Sequence, residues 1–396
     1  MRDFIYSNKP VETCYGCQAC IQACNHQAIN MVPNEEGFIY PQIDKNKCVD
    51  CGLCEKVCPT QEENEAILRH KTPKEVYALW NKSLEERLES TSGGAFYLLA
   101  SQIISERGVV YGVGYNEELE ACHKRVNNIK SLNLLRGSKY MQSDINATYK
   151  QTKEDLKIGK TVLFSGTPCQ IAGLRLFLRK DYRQLITIDL VCHGTPSPMI
   201  FKEHIKYLEN KFGDKIIDFK FRSKRETGWR SYTKYIFNRI KPVYLFLGKD
   251  YYCHAFHHGY LNRESCYSCQ FSKSDRVGDI TLSDFWGGEN YSKELKRQRK
   301  YGFNLVMCNT EAGQQLVDNI ADQVERRIFP VENAIRGDIR LRNSEPRPEF
   351  RSEAYKICQK KGYTYMVNTY GLKLNLIQKL IPVWAKNLIR EVQSRG

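Results

Sequence analysis

Two stretches of the first sixty residues share one cysteine spacing. "CYGCQACIQAC" supplies Cys14, Cys17, Cys20 and Cys24, and "CVDCGLCEKVCP" supplies Cys48, Cys51, Cys54 and Cys58. Both read C-x2-C-x2-C-x3-C, the spacing in which three thiols wrap one 4Fe-4S cluster through a tight loop while the fourth, on the following helix, reaches a second cluster. Cluster one is expected to take Cys14, Cys17, Cys20 and Cys58, and cluster two Cys48, Cys51, Cys54 and Cys24. No other feature limits the local fold so strongly, because eight side chains must converge on two centres.

This internal repeat resembles two-cluster ferredoxins throughout its length. Pro59 follows Cys58 as that pattern expects, whereas Asn25 stands where the first proline would be; the departure touches helix geometry and not ligation. A zinc module needs four ligands and does not use the doubled spacing. Two adjacent clusters form a wire for single electrons and do no bond chemistry on small molecules themselves, so the remainder of the chain must say where electrons go.

At 396 residues the chain exceeds one average domain. Its 16 cysteines, many at short regular spacings, point to metal in a reducing compartment and not to disulfides. No run of about 18 apolar residues is present, and the start lacks an apolar signal region, so a cytoplasmic protein is expected. The formal charge of +15 raises a nucleic-acid partner as a hypothesis. No recognition module supports it; anionic clusters and a flavin diphosphate would lower the balance, and the remaining charge suits an acidic redox partner or a membrane surface.

Beyond residue 67 strands and helices alternate. Strands are expected at "EVYALWN", "VVYGVGY", "TVLFS" and "LITIDLV", and helices at 94–106, 129–135, 145–157, 168–179 and 197–212. That alternation indicates an α/β sheet with helices on its faces. Further strands at 215–222, 231–238 and 302–308 suggest a partly antiparallel extension, giving a mixed sheet and an α+β organisation overall.

Three places in this half carry chemistry. "STSGGAF" sets Ser92, Gly93 and Gly94 before a helix, where free amides favour a flavin or nucleotide diphosphate, although such a cap without a ligand is equally common. "TVLFSGTPCQIAGL" ends a buried strand and places Cys169 at a helix N-terminus, with Thr167 as cap and Pro168 at the first helical position. "LITIDLV" then delivers Cys192 at its own C-terminal end. A right-handed crossover between two parallel strands brings both thiols to the same sheet edge, where α/β folds put their ligands. Cys169 and Cys192 are therefore the expected partners of the isolated pair Cys266 and Cys269 in "SCYSCQF".

The stretches "STSGGAF", "GSKYMQS", "SGTPCQIAGL", "DLVCHGTPSP", "CYSCQF" and "GDITLSDFWGG" together resemble the beta subunits of coenzyme F420-reducing hydrogenases and dehydrogenases, a family that includes bacterial members and plant hydroxymethyl-chlorophyll reductases. The resemblance runs from about residue 76 to 290. It implies an FAD-containing domain with a 4Fe-4S cluster beside the flavin, ligated by Cys169, Cys192, Cys266 and Cys269. It further implies flavin contacts from Ser92 to Gly94 and from Ser138, Lys139 and Tyr140, with Thr167 nearby. The function it implies is an FAD- and 4Fe-4S-dependent oxidoreductase that exchanges electrons with a ferredoxin or similar redox protein and acts on a small molecule, coenzyme F420 or another organic acceptor. A non-catalytic electron-transfer subunit of a larger complex is the alternative.

The expected organisation is a two-cluster domain over 1–66, a flavin-binding part over 67–158, a part with the third cluster over 159–345, and a basic helical tail over 346–396. Rival readings attach to several residues. Cys253, His254, His257 and His258 could join Cys266 and Cys269 in a zinc knot. Cys122, Cys308 and Cys358 read as buried small hydrophobes. "FRSKRETGWRSY", with Arg222, Lys224, Arg225, Trp229 and Arg230, reads by default as a solvated hairpin and otherwise as an anion site. Asp279 and Asp284 read as turn residues or cofactor neighbours. In the tail, Leu372, Leu376, Leu380, Trp384 and Leu388 recur at helical spacing among Lys and Arg, a pattern suited to a membrane surface, a partner or the protein's own body.

Overall fold

A computed structural model describes residues 10–65, 73–229, 232–246 and 248–369. In the cysteine-rich segment, strands β1 (Ile29–Pro33) and β2 (Ile39–Ile43) form an antiparallel hairpin. Its turn is built by Asn34, whose side-chain oxygen accepts from the amides of Glu36 and Phe38, and by Gly37 at φ 80°. Asn and Gly do this because one caps its own backbone and the other tolerates positive φ.

The body is organised by one eight-stranded mixed sheet in the order β13-β3-β12-β11-β7-β6-β4-β5. Its strands are β3 (Glu75–Asn81), β4 (Val109–Tyr115), β5 (Ala121–Val126), β6 (Val162–Gly166), β7 (Leu185–Leu190), β11 (Ile280–Asp284), β12 (Asn304–Cys308) and β13 (Val324–Ile328). Four adjacent strands, β11, β7, β6 and β4, run parallel. They are nearly continuous apolar runs because helices cover both faces, as parallel strands require. Strands from both sides of residue 158 interleave here, so the two parts of the body share one sheet. β5 and β13 lie at its two edges and carry Lys124, Arg125, Arg326 and Arg327, charges that suit edge strands and hide them from a reading based on apolar pattern.

The expected antiparallel extension divides in two. β12 enters the main sheet between β3 and β11. β8 (Ile216–Lys220), β9 (Tyr232–Phe237) and β10 (Val243–Phe246) instead form a separate three-stranded antiparallel sheet. The physical reason is its own apolar partner: β9 buries alternate residues, and Phe219, Tyr235 and Phe237 pack with Phe201 and Leu208 of the helix Pro198–Phe212 and with Tyr355, Tyr363 and Met366 of two later helices.

Those two later helices are Arg351–Lys361 and Tyr363–Thr369. The amphipathic pattern from Leu372 to Leu388 lies outside the described residues, as does Arg230. Among the described residues no helix is long and apolar enough to cross a membrane.

Candidate redox centre

The two cysteine loops adopt the same backbone. Gly16 and Asp50, equivalent in the repeat, have φ 66° and 53°; Gln18 and Gly52, also equivalent, have φ 60° and 68°. In each loop the amide after the second residue donates to the first sulfur: Gly16 N to Cys14 Sγ at 3.3 Å and Asp50 N to Cys48 Sγ at 3.4 Å.

Cys14, Cys17, Cys20 and Cys58 line one cavity, together with Tyr15, Met31, Pro41 and Thr60. Burial pushes the thiols of Cys17 and Cys20 well up, and Cys14 and Cys58 raise both further. Four buried sulfurs around one void, with the ionisation of Cys17 and Cys20 opposed by their neighbours, fit a cationic iron-sulfur core. The second set gathers likewise: burial raises Cys54 to about 11, with Cys51 and Cys24 adding to the rise. Cys58 thus lines the first cavity, and Cys24 lies close to Cys54. Cys51 is exposed, which puts the second set at the surface.

The third set is assembled by the sheet. Gly166 of β6 pairs with Asp189 of β7, and Leu190 pairs with Leu282 of β11. The chain therefore leaves β6 and β7 side by side, carrying Thr167–Cys169 and Cys192 to one edge. Asp189, wholly buried, accepts from Thr281 Oγ1 at 2.6 Å, Gly278 N at 3.0 Å, Val277 N at 3.1 Å and Arg276 Nη2 at 3.2 Å. This knot ties the loop after Cys269 to the same edge. Burial pushes Cys192 well up, and Cys266, Cys169 and Cys269 all add to the rise. Burial likewise raises Cys169 to about 12 and Cys266 to about 11. Thr167 Oγ1 lies 3.2 Å from Cys169 Sγ.

Cys253 lies elsewhere, in the aromatic core with its sulfur 3.1 Å from Thr233 Oγ1. Among the described residues no three His, Cys, Asp or Glu side chains gather in the manner of a single metal ion. Cys122, Cys308 and Cys358 are buried.

The first and third sets adjoin. Cys169 raises the Cys17 thiol, and burial with both sets of sulfurs raises Tyr149 between them. The helix Pro168–Leu178 carries Cys169 at its start and Gly173 one turn on; a Cβ at Gly173 would stand 3.0 Å from Cys17 Sγ. Tyr15, beside Cys14, packs on Phe271, beyond Cys269, with ring centroids 5.4 Å apart.

The segments singled out for a flavin also meet at this sheet edge. Ser138 Oγ donates to Thr91 Oγ1 at 3.2 Å, and Arg136 Nη2 to Ser90 Oγ at 3.1 Å. Gly93 approaches the backbone of Leu79 and Asn304 so closely that a Cβ would not fit. The Ala95 amide already donates to Asn304 Oδ1 at 3.1 Å, while Ser92 donates to the Phe303 carbonyl. Lys139 Nζ donates to the Arg136 carbonyl at 2.6 Å, and Tyr140 stacks on Phe256 at 4.1 Å. From Tyr140 the chain continues to Gln142, against the Cys14–Cys17 loop.

What sequence reading missed is the convergence of cations here. Lys224, buried, donates to the Ser92 carbonyl, and Arg222 pairs with Asp284. Burial, then Arg87 and Arg222, lowers Lys224 to about 6, and burial lowers Lys139 to about 7. Arg222 has φ 57° and leaves Nε and Nη2 without a hydrogen-bond acceptor. Buried donors without an acceptor are exceptions in folded proteins. Trp286, 38% exposed, lies 5.1 Å from the Arg222 guanidinium and stacks on Trp229 at 4.5 Å. Arg225 instead faces solvent and pairs with Glu85 and Glu89. Asp279 binds Thr187 and Thr310, and so secures β11 to its neighbours. The hairpin signal "RSKRETGW" contained Arg222 and Lys224, and Arg136 opens the turn "RGSKYMQS", but Arg87 comes from a segment with no motif.

Residues 13–61 match the family model described as 4Fe-4S dicluster domain, which makes this an iron-sulfur redox protein. Residues 159–333 match the model for the C terminus of the coenzyme F420 hydrogenase/dehydrogenase beta subunit, and over that segment the chain is similar to this beta-subunit family. A chain in a structure of the F420-reducing NiFe hydrogenase complex from Methanosarcina barkeri is similar at 15% identity, over 75% of this chain and 92% of that one, with a TM-score of 0.45. No curated protein matches the chain.

Proposed function

We propose that this iron-sulfur protein is an FAD-dependent oxidoreductase, in which single electrons move between cluster two, cluster one, a third 4Fe-4S cluster and FAD, and pairs of electrons move between FAD and a small organic molecule. The observation that carries the reading is the adjacency of the Cys169/Cys192/Cys266/Cys269 set to Cys17 on one side and to a cation-lined sheet edge on the other. FAD, when bound, supplies the exchange between one-electron and two-electron chemistry. The chain's own contribution is position and charge. Arg136, Lys139, Arg222 and Lys224 suit an anionic diphosphate, and Trp286 offers an aromatic face. The exposed Cys51 end suits a ferredoxin or another redox protein, and coenzyme F420 or a different organic acceptor would meet the cationic edge.

Iron, sulfide, zinc and flavin are measured on anaerobically prepared protein, which is then mixed with reduced ferredoxin and, separately, with reduced coenzyme F420. About twelve irons, one FAD and bleaching of the flavin band are expected. About eight irons with one zinc would overturn the third cluster. Full cofactor content with no flavin change from either reductant would favour an electron-transfer subunit without its own substrate.

A further inference from the structure

Of the three most deeply buried arginines, Arg276 holds Asp189 and Arg351 holds Glu36. Arg263, 0% exposed, has only neutral acceptors. Its Nε donates to the Cys14 carbonyl at 2.6 Å, Nη1 to Gln142 Oε1 at 3.1 Å and Nη2 to the Ile39 carbonyl at 3.0 Å. The guanidinium lies 4.0 Å over the Tyr40 ring. Among the described residues no carboxylate pairs with it. A buried cation without a counter-charge is strongly destabilising, by several kcal/mol even after relaxation, so an anion belongs nearby.

Its position says which. The Arg263 amide donates to the Thr195 carbonyl, three residues past Cys192, and its carbonyl accepts from the Cys266 amide, both at 2.9 Å. The side chain meanwhile grips the loop that starts at Cys14; a Cβ on Gly16 would stand 3.1 Å from Nη1. Arg263 therefore sits between the first and third sulfur sets, its backbone fixed in one and its charge against the other.

We propose that Arg263 is the shared counter-charge of cluster one and the third cluster, a positioning residue that favours their reduced states together and leaves cluster two unaffected. This rests on the third-cluster reading. Thiolate-ligated clusters become more negative on reduction, and net charge with local hydrogen bonding sets their potentials. One buried cation between two clusters couples their potentials, so electrons are drawn inward from the surface cluster.

The test is an anaerobic redox titration of the full chain, followed by electron paramagnetic resonance, on wild type, Arg263→Gln, Arg263→Lys and Gln142→Glu. Gln142→Glu supplies a carboxylate where an acceptor oxygen already lies 3.1 Å from Nη1, so it cancels the charge without emptying the site. Both Arg263→Gln and Gln142→Glu should disfavour reduction of cluster one and the third cluster by at least about tenfold, a fall of about 59 mV, with cluster two unmoved and Arg263→Lys near wild type. If both charge-cancelling variants lose iron while Arg263→Lys keeps it, the need for the cation stands. Unmoved midpoints in an iron-replete Gln142→Glu protein, a shift confined to one cluster, an equal shift in cluster two, or Arg263→Lys behaving as Arg263→Gln would each overturn the proposal. Eight irons in wild type would remove the third cluster and this proposal together, whereas twelve irons with unmoved midpoints would remove this proposal alone.

Discussion

Asp189→Ala is the substitution expected to loosen the third cysteine set most without touching a sulfur. The carboxylate is wholly buried and takes four hydrogen bonds, one from the Arg276 guanidinium. Removing one partner of a buried ion pair costs about 3–5 kcal/mol. Arg276 keeps its bonds to the carbonyls of Phe271, Lys273 and Leu190, which places the effect toward the lower end. The amides of Val277 and Gly278 also lose their acceptor, but water entering the vacated site offsets that loss, so about 3–5 kcal/mol is kept for the whole change. At 1.36 kcal/mol per factor of ten, that is roughly a 150- to 5000-fold rise in local opening. Amide hydrogen exchange on iron-loaded protein reads it in the paired strands β7 and β11. Their protection should fall by that factor, and a chelator should remove about four irons faster than the other eight. Protection within tenfold of wild type would refute the claim that this knot holds the Cys269 loop to the sheet edge.

Two further outcomes follow from the site. Cys266→Ser should lower iron from about twelve to about eight per chain, while Cys253→Ser, in the core against Thr233, should leave the count unchanged; colorimetric iron and sulfide analysis checks both. Lys224 and Lys139 are lowered to about 6 and about 7, so both are largely neutral in the empty site above pH 7 and must take up protons to hold an anion. FAD affinity should therefore weaken as pH rises from 6 to 8.5, by up to about tenfold per pH unit for each proton taken up. Fluorescence titration of flavin-free protein measures it, Lys224→Met should flatten the profile, and a flat profile in wild type would refute the assignment.

The parts of the fold legible in the sequence are those with one dominant signal. β3, β4, β6 and β7 read as apolar runs because they are covered on both faces. Cys169 and Cys192 can be joined from the sequence because the geometry of a parallel crossover is fixed. β5 and β13 are not legible, since edge strands dilute their pattern with charge. The separate sheet β8-β9-β10 reads as an extension because strand pattern reports which face is buried and not against what. The cation cluster escapes for a related reason: Lys139 and Lys224 stand out only singly in their own segments and Arg87 not at all, and only tertiary packing puts them together. Arg263 gives no signal either, because a cation's missing partner is visible only once its neighbours are known.

The cysteine-rich module is fastened to the body at many points. Cys17, Ala19, Ala23 and Val57 share one apolar core with Phe164, Leu174 and Phe177, Arg351 makes a two-point pair with Glu36, and Gln22 Oε1 accepts from the amides of Tyr149 and Lys150. Such a module has no freedom to act as a swinging shuttle between an outside donor and an inside acceptor. Internal transfer should then be indifferent to solvent viscosity and to the length of the segment between residues 65 and 73, and only the encounter with the outside carrier should depend on diffusion.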